Sequence, residues 1–279
     1  MCGFLGIINL DGSSIDQHFL RVMTAKMKAR GPDSEGFFFD DNVGLGFRRL
    51  SIIDLSTGDQ PLSNADDTIW LVMNGEIYNF VELRVNLTKK GYSFKTRSDA
   101  EVIVHLYEEY GTEFVQHLNG MFAFALYDKV KKKIILGRDR LGIKPLYYKK
   151  QNNQIVFGSD AKVVAGEDGT NISESGFLTY LSFGYTNNDS IFEGVIKLKP
   201  GCLIELDRTS FKTMPYWKVD KIGESVCSDF EAQEKLSYLL EESIKIQLRS
   251  DVPVGVFLSG GVDSSAIVAL ASKALKSPL

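Results

Sequence analysis

The sequence predicts an α+β region over residues 2–210, followed by the opening of an α/β region over residues 228–279. Three observations carry this expectation. Short apolar runs of strand length crowd the first 160 positions, with few segments of helical period among them. After residue 228 a long amphipathic segment, a continuous apolar run and a glycine-rich turn follow one another, the order of a parallel βα unit. The 279 residues are 44% hydrophobic and 24% charged, which excludes disordered and fibrous classes. A chain of this size buries about three-quarters of its unfolded surface, so no disulfide framework is needed.

GFLGIINL (3–10) reads as a buried strand closed by Asp11-Gly12. Phe19, Val22, Met23 and Met27 recur at helical spacing and predict a helix that ends at Arg30-Gly31-Pro32. Strands are expected over 35–39, 43–47 and 69–73, the last stopping at Asn74-Gly75, a pair that readily takes positive φ. Ser98 and Glu101 stand at capping-box spacing, so a helix is expected from there to Tyr110 with Asp99 in its first turn. FAFALYD, KIILGRD, PLYY and QIVFGSD then form successive strands, and the lysines at 131–133 read as a solvated hairpin turn.

A helix from Ser173 through Phe183 precedes strand-like GCLIEL and the segment MPYW, and a domain boundary is expected between Pro200 and Ser228. Ser228 and Glu231 form a second capping box, opening an amphipathic helix to about Leu248. VPVGVFL (252–258) reads as a fully buried, parallel-type strand, then SGGVDSS and a helix to Lys276. One strand between two helices cannot build a sheet covered on both faces, so this is expected to be the front part of a longer polypeptide.

Thirty-two basic against 36 acidic residues, a formal charge of −4, without a basic cluster argue against nucleic-acid binding. No apolar stretch has the length of a membrane helix, and Asp11-Gly12 closes the apolar start too early for a secretory signal. Cys2, Cys202 and Cys227 are odd in number, scattered and without zinc-site spacing, which fits a reducing cytoplasm.

Cys2 becomes residue one if Met1 is removed. A cysteine with a free α-amine carries its own general base, because that amine titrates at about 7.7 to 8.0. His18, His105 and His117 lie in helix-like segments and have no local catalytic context. Taken alone, Cys2 is better explained as a small apolar residue in a first strand. Its company changes that: Asn74-Gly75 offers an amide and a backbone N–H to an oxyanion, Arg49 can fork a carboxylate and Asp99 can pair with an ammonium.

MCGFLGI, RGPD (30–33), RLSIID (49–54), NGEIYN (74–79), SDAE (98–101) and GRDRLGIKPLYY (137–148) occur in this order. Together they resemble the class II glutamine amidotransferase domain of glutamine-hydrolysing asparagine synthetases. The resemblance implies an N-terminal-nucleophile αββα sandwich, with Cys2 as nucleophile and Asn74 and Gly75 as oxyanion hole. It further implies that Arg49 holds the glutamine α-carboxylate and Asp99 its α-ammonium, with Leu50, Ile52, Ile53, Asn74 and Glu76 lining the pocket and no cofactor for this step. Arg30, Arg138 and Asp139 read as loop braces.

SGGVDSS has glycines for close backbone approach, hydroxyls for phosphate oxygens and a following helix N-terminus. It is not a Walker A loop, and Asp263 fits a metal-bridged pyrophosphate better than bare phosphate; a plain helix cap explains the same residues equally well. The segment resembles the pyrophosphate loop of ATP pyrophosphatases of the adenine-nucleotide alpha-hydrolase-like fold. That implies ATP contacts at Leu258, Ser259, Gly260, Gly261, Asp263, Ser264 and Ser265, with Mg²⁺ at Asp263. The combined expectation is glutamine hydrolysis feeding ammonia to a β-aspartyl-adenylate made from aspartate and ATP. Amidation of another carboxylate such as a sugar uronic acid, or a non-catalytic glutamine- or nucleotide-binding module, stays open. A homodimer is compatible with this reading.

Overall fold

The structure is a computed structural model that describes residues 1–166, 171–186, 189–219 and 227–275. It divides into two compact units: residues 1–51 with 56–218, and residues 52–55 with 219–279.

The first unit opens with β1 (Gly3–Asn9), α1 (Gln17–Ala25), β2 (Ser34–Asp40) and β3 (Val43–Arg49). β4 (Leu62–Ser63), β5 (Ile69–Ile77), α2 (Phe80–Lys89) and α3 (Glu101–Tyr110) follow, then a 3₁₀ turn at Gly111–His117. β6 (Gly120–Asp128), β7 (Lys133–Arg138), β8 (Tyr147–Gln151), β9 (Gln154–Gly158) and α4 (Ala161–Ala165) come next. α5 (Glu174–Phe183), β10 (Val195–Lys197), β11 (Cys202–Leu206) and β12 (Phe211–Pro215) complete it. All strand pairs are antiparallel, in two six-stranded sheets ordered β10-β8-β9-β1-β3-β2 and β12-β11-β7-β6-β5-β4.

The layers follow from side-chain alternation along each strand. Phe4 and Ile8 of β1, Leu45 and Phe47 of β3, Val72 of β5 and Ala123 and Tyr127 of β6 meet between the sheets. Leu5 and Ile7 face the opposite way, onto Leu20 and Met23 of α1 and Val163 of α4. Leu71, Met73 and Ile77 pack on Leu83, Leu87 and Ile103 of α2 and α3. Helix, sheet, sheet, helix is the αββα sandwich expected. Strands buried on both faces explain why β1 reads as one unbroken apolar run.

Several local expectations need correction. In α1 the buried face is Leu20, Met23 and Thr24, continued by Met27, whereas Phe19 and Val22 are about 40% exposed. β5 does not stop at Asn74-Gly75 but runs through both to Ile77, pairing Gly75 with Phe122. Glycine is needed there for close approach, since a Cβ would lie 2.1 Å from the Met121 carbonyl oxygen. The capping box at Ser98 does not form. The Glu101 carboxylate instead accepts from Lys95 N (2.7 Å), Thr96 N (2.8 Å) and Thr96 Oγ1 (2.6 Å), because the preceding loop brings those donors onto it. Asp99 lies just before α3 rather than in its first turn. The lysine run at 131–133 does turn between β6 and β7, with Lys131 paired to Asp128.

In the second unit the Ser228–Glu231 capping box forms as expected and opens α6 (Asp229–Gln247). Asp251 ties residues 52–55 into this unit: its Oδ2 accepts from Asp54 N at 2.7 Å and its N–H donates to Ile52 O at 3.0 Å. The segment expected as a buried strand, residues 252–258, is neither strand nor buried, with Phe257 99% exposed. A parallel strand exists only through neighbours that satisfy its backbone, and the described residues of this unit contain no other strand. α7 (Val262–Ala274) follows; its expected end at Lys276 lies outside the described residues. No helix among the described residues is long and apolar enough to cross a membrane.

Candidate active site

The β1–β3 register pairs Gly3 with Arg48, so one step further it carries Cys2 alongside Arg49. Cys2 shares the alternation of Phe4 and packs against the layer between the sheets. Its thiol donates to Leu50 O at 3.5 Å and its sulfur accepts from Leu50 N at 3.4 Å. Burial pushes the thiol above its ordinary pKa; the Leu50 backbone, the terminal amine and Arg49 pull against burial, and Asp99 adds to it. The amine that precedes Cys2 is held below its ordinary value by burial, with Arg30 and Lys144 adding and Cys2 and Asp33 opposing. That amine belongs to Met1; removal of Met1 would put an amine on Cys2 itself, within reach of its own thiol.

The same parity argument places the partners. Trp70, Val72, Asn74 and Glu76 fall on one face of β5, the face toward Cys2's layer. Asn74 is 1% exposed and its Nδ2 has no hydrogen-bond partner. A buried donor left unpaired costs about 1–3 kcal/mol, and such exceptions mark groups waiting for a ligand. Gly75 follows in the strand.

Arg49 ends β3 on the face of Leu45 and Phe47, is 5% exposed, and donates Nη1 to Asp59 Oδ1 at 2.9 Å. Asp99 is buried and accepts from Ile77 N at 2.8 Å, which fixes it to the end of β5. Burial pushes its carboxyl up to about 6, against the Ile77 N–H and with Glu76 adding to the rise. Glu76 is half-buried and shifted up by burial, with Lys144 opposing. The thiol and the guanidinium thus lie side by side at the ends of β1 and β3, the unpaired amide lies on β5, and the buried carboxylate is bonded to the end of β5; chemically the set matches a zwitterion carrying an amide.

Of the other predicted lining residues, Leu50 holds Cys2 through its backbone, whereas Ile52 and Ile53 belong to the second unit. Two of the three histidines are committed elsewhere: His105 lies between Glu101 (3.6 Å) and Glu108 (2.8 Å), and His117 stacks on Tyr110. Arg138 and Asp139 are loop braces as expected, their side chains bonding backbone groups of the loop and its neighbours. Arg30 does more than brace: its Nε donates to Cys2 O at 3.4 Å and its buried Nη2 has no partner. Sequence reasoning missed that, because Arg30 has no local pattern that points at Cys2.

In the second unit, Leu258 is exposed and the turn after it is closed by hydroxyls. Ser259 Oγ lies 3.0 Å from Ser264 Oγ, which also donates to Gly261 O at 3.1 Å. Gly260 sits at φ +81°, where L side chains are strained, and Gly261 caps α7 without a side-chain bond. Ser265 N bonds back to Gly261 O, and Asp263 lies in the first turn. Uncapped N–H groups with two hydroxyls fit a phosphate. For Mg²⁺, Asp263 can supply one carboxylate and phosphate oxygens the rest; no cluster of three or more acidic, His or Cys ligands exists among the described residues.

Comparison with known proteins gives the chain a family. Residues 1–217 match the family model described as Glutamine amidotransferase domain. The chain belongs to that family. Residues 235–279 match the model described as Asparagine synthase. Asparagine synthetase [glutamine-hydrolyzing] 1 of Bacillus subtilis is 40% identical over 98% of the chain, which spans 44% of that protein. Asparagine synthetase B of Escherichia coli K12 is 36% identical over 98% of the chain and is spanned to 45%. The chain thus spans under half the length of these relatives. Among solved structures, glutamine phosphoribosylpyrophosphate amidotransferase from B. subtilis superposes with a TM-score of 0.57 at 18% identity, covering 98% of the chain and 64% of that structure. That likeness concerns the fold.

Proposed function

We propose that the chain hydrolyses glutamine at Cys2 and, within a longer polypeptide, feeds the ammonia to asparagine synthesis. The observation that carries this is the buried, unpaired Asn74 amide in the same inter-sheet layer as the Cys2 thiol. With Met1 removed, the Cys2 α-amine takes the thiol proton and the thiolate attacks the side-chain amide carbon of glutamine. The oxyanion is received by Asn74 Nδ2 and Gly75 N–H. The amine returns the proton to the departing ammonia, and water then hydrolyses the thioester to glutamate. Arg49 binds the α-carboxylate and Asp99 the α-ammonium, while Leu50 and Glu76 shape the pocket.

Residues 2–210 act in this reading as the glutaminase domain and residues 228–279 as the front of an ATP-dependent synthetase domain. There Leu258 and the Ser259–Ser265 loop would hold the pyrophosphate end of ATP, with Mg²⁺ at Asp263, while aspartate is activated as an adenylate. Matches of 36–40% identity to asparagine synthetases favour aspartate over another acceptor carboxylate. Three cysteines outside any disulfide suit a reducing cytoplasm.

The test is ammonia release by Met1-processed protein from glutamine and from 4-carbamoylbutanoate, which lacks the α-ammonium. Turnover of glutamine with kcat/KM at least about 100-fold above the analogue is expected for a buried carboxylate partner. Equal rates, or none from either, would overturn the assignment.

A further inference from the structure

Asp99 reaches the end of β5 by way of residues 95–98, and the backbone groups of that segment are taken up from two sides. On the donor side the Glu101 carboxylate accepts from Lys95 N, Thr96 N and Thr96 Oγ1. On the acceptor side the Arg84 guanidinium of α2 forks onto Thr96 O (2.7 Å) and Ser98 O (2.9 Å), with its carbon 4.1 Å from the centre of the Phe94 ring. Within the segment Thr96 Oγ1 accepts from Ser98 N at 3.1 Å, and Ser98 Oγ from Ala100 N at 3.2 Å. The bonds to Glu101 and from Arg84 each have an ionised partner, which makes them about twice as strong as neutral ones. Asp99 therefore leaves a segment with little freedom and accepts from Ile77 N at 2.8 Å.

A carboxylate as buried as Glu101, 1% exposed, needs a counter-charge. His105, buried one turn along α3, supplies it: Nε2 lies 3.6 Å from Glu101 and Nδ1 2.8 Å from Glu108. Glu108 is itself held by Asn64 Nδ2 at 3.0 Å, and Tyr92 and Phe94 close over the imidazole with ring centres at 5.4 and 4.7 Å. Tyr92 Oη and Lys90 Nζ both bond Glu109, which leaves Glu101 and Glu108 as the carboxylates that act on the imidazole. Burial pulls His105 down, and the two carboxylates more than reverse it; burial pushes Glu101 up, and His105 with the Thr96 and Lys95 donors more than reverses that. Each ion thus stabilises the charged form of the other.

We propose that Arg84, Glu101 and His105 are positioning residues for Asp99: Arg84 and Glu101 clamp residues 95–98 from opposite sides, His105 is the buried counter-ion of Glu101, and the Asp99 carboxylate is thereby presented in one place to a substrate ammonium. That consequence rests on the role of Asp99 proposed above; the clamp itself does not. An ammonium remote from the reacting amide is bound alike in ground and transition states, so loosening its partner raises KM and spares kcat.

The experiment compares Arg84→Met, Arg84→Lys, His105→Phe and His105→Gln with the parent, all with Met1 removed. Phenylalanine keeps a ring between Tyr92 and Phe94, while lysine and glutamine each keep a donor. Ammonia release from glutamine and from 4-carbamoylbutanoate is measured alongside hydrogen exchange of single amides by NMR. Arg84→Met and His105→Phe should each raise KM for glutamine about tenfold, the scale of one charge-assisted bond weakened, with kcat within about threefold and the analogue little affected. Exchange at Ile77 N–H should quicken by a similar factor. Met73 N–H, which bonds Gln60 Oε1 in the same strand, should keep its protection. Arg84→Lys and His105→Gln should fall between these variants and the parent. Parent-like KM and Ile77 protection in folded Arg84→Met and His105→Phe, or an equal loss on both substrates, would overturn the proposal. If His105→Phe does not fold, Arg84→Met, at a half-buried side chain, carries the test; loss of folding there too would show that the clamp serves the fold and not Asp99. A parent that does not prefer glutamine to the analogue would sink the reading of Asp99 yet leave the exchange result to decide the clamp.

Discussion

Replacing Asn74 with leucine separates stability from catalysis at one position. The side chain is 1% exposed and its Nδ2 bonds nothing, so the folded chain carries the desolvation cost of that donor, about 1–3 kcal/mol. Leucine has similar volume and no donor, and exchanging a buried polar group for an apolar one of like shape is close to neutral or stabilising. Stability should therefore hold or rise by about 1 kcal/mol, which for a unit of this size moves the melting temperature up by roughly 2–4 °C. Activity should move the other way. One lost oxyanion donor lowers kcat by about 10²–10³, or 2.7–4 kcal/mol, while KM for glutamine changes little, because the interaction strengthens only as charge develops on the oxygen. Glutamate release and thermal melts on the same preparations provide the assay. A kcat within about threefold of the parent would refute the oxyanion role, since one donor is worth far more. A melting temperature lowered by more than about 5 °C would refute the claim that the amide is an unpaired burden.

Other outcomes follow from the same geometry. Cys2→Ala should abolish glutaminase activity, whereas Cys202→Ala and Cys227→Ala should keep it; equal loss in all three would remove Cys2 from its role. Asp99 is buried with a pKa near 6 against an ordinary 3.8, so the folded state binds its proton more tightly than the unfolded one, and stability falls as pH rises from about 4 to 6. Asp99→Asn should flatten that slope and raise the melting temperature at pH 7, yet raise KM for glutamine; in the parent, KM should climb as pH drops below about 6 and the ammonium partner is neutralised. pH-independent KM would contradict the assignment. Gly75→Ala places a Cβ 2.1 Å from Met121 O and should cost more than about 3 kcal/mol, seen as loss of the cooperative melt; near-parent stability would mean that β5 and β6 are not so closely packed.

What was legible in the sequence was whatever rests on local pattern. β1, β6 and β7 announce themselves as apolar runs, and the Ser228–Glu231 capping box forms atom for atom because both partners lie within one turn. The residues now grouped around Cys2 were named beforehand from their chemistry and from a family resemblance, with Asn74 the clearest case. What failed depended on contacts distant in sequence. Asn74-Gly75 looked like a turn because only β6, some 45 positions further on, makes it a strand. Glu101 left its capping box for a loop that folds back on it. Residues 252–258 have the composition of a buried strand, but a strand needs neighbours, and the described residues provide none. Arg30 gave no signal because its bond to Cys2 O joins positions 28 residues apart.

The most direct test of the account is the site of covalent capture by 6-diazo-5-oxo-norleucine, a glutamine-like electrophile. Intact mass and peptide mapping of Met1-processed protein should show one adduct, on Cys2, formed in step with loss of glutaminase activity and prevented by excess glutamine. An adduct on Cys202 or Cys227 instead, or full inactivation with Cys2 unmodified, would contradict the central claim that Cys2 is the nucleophile.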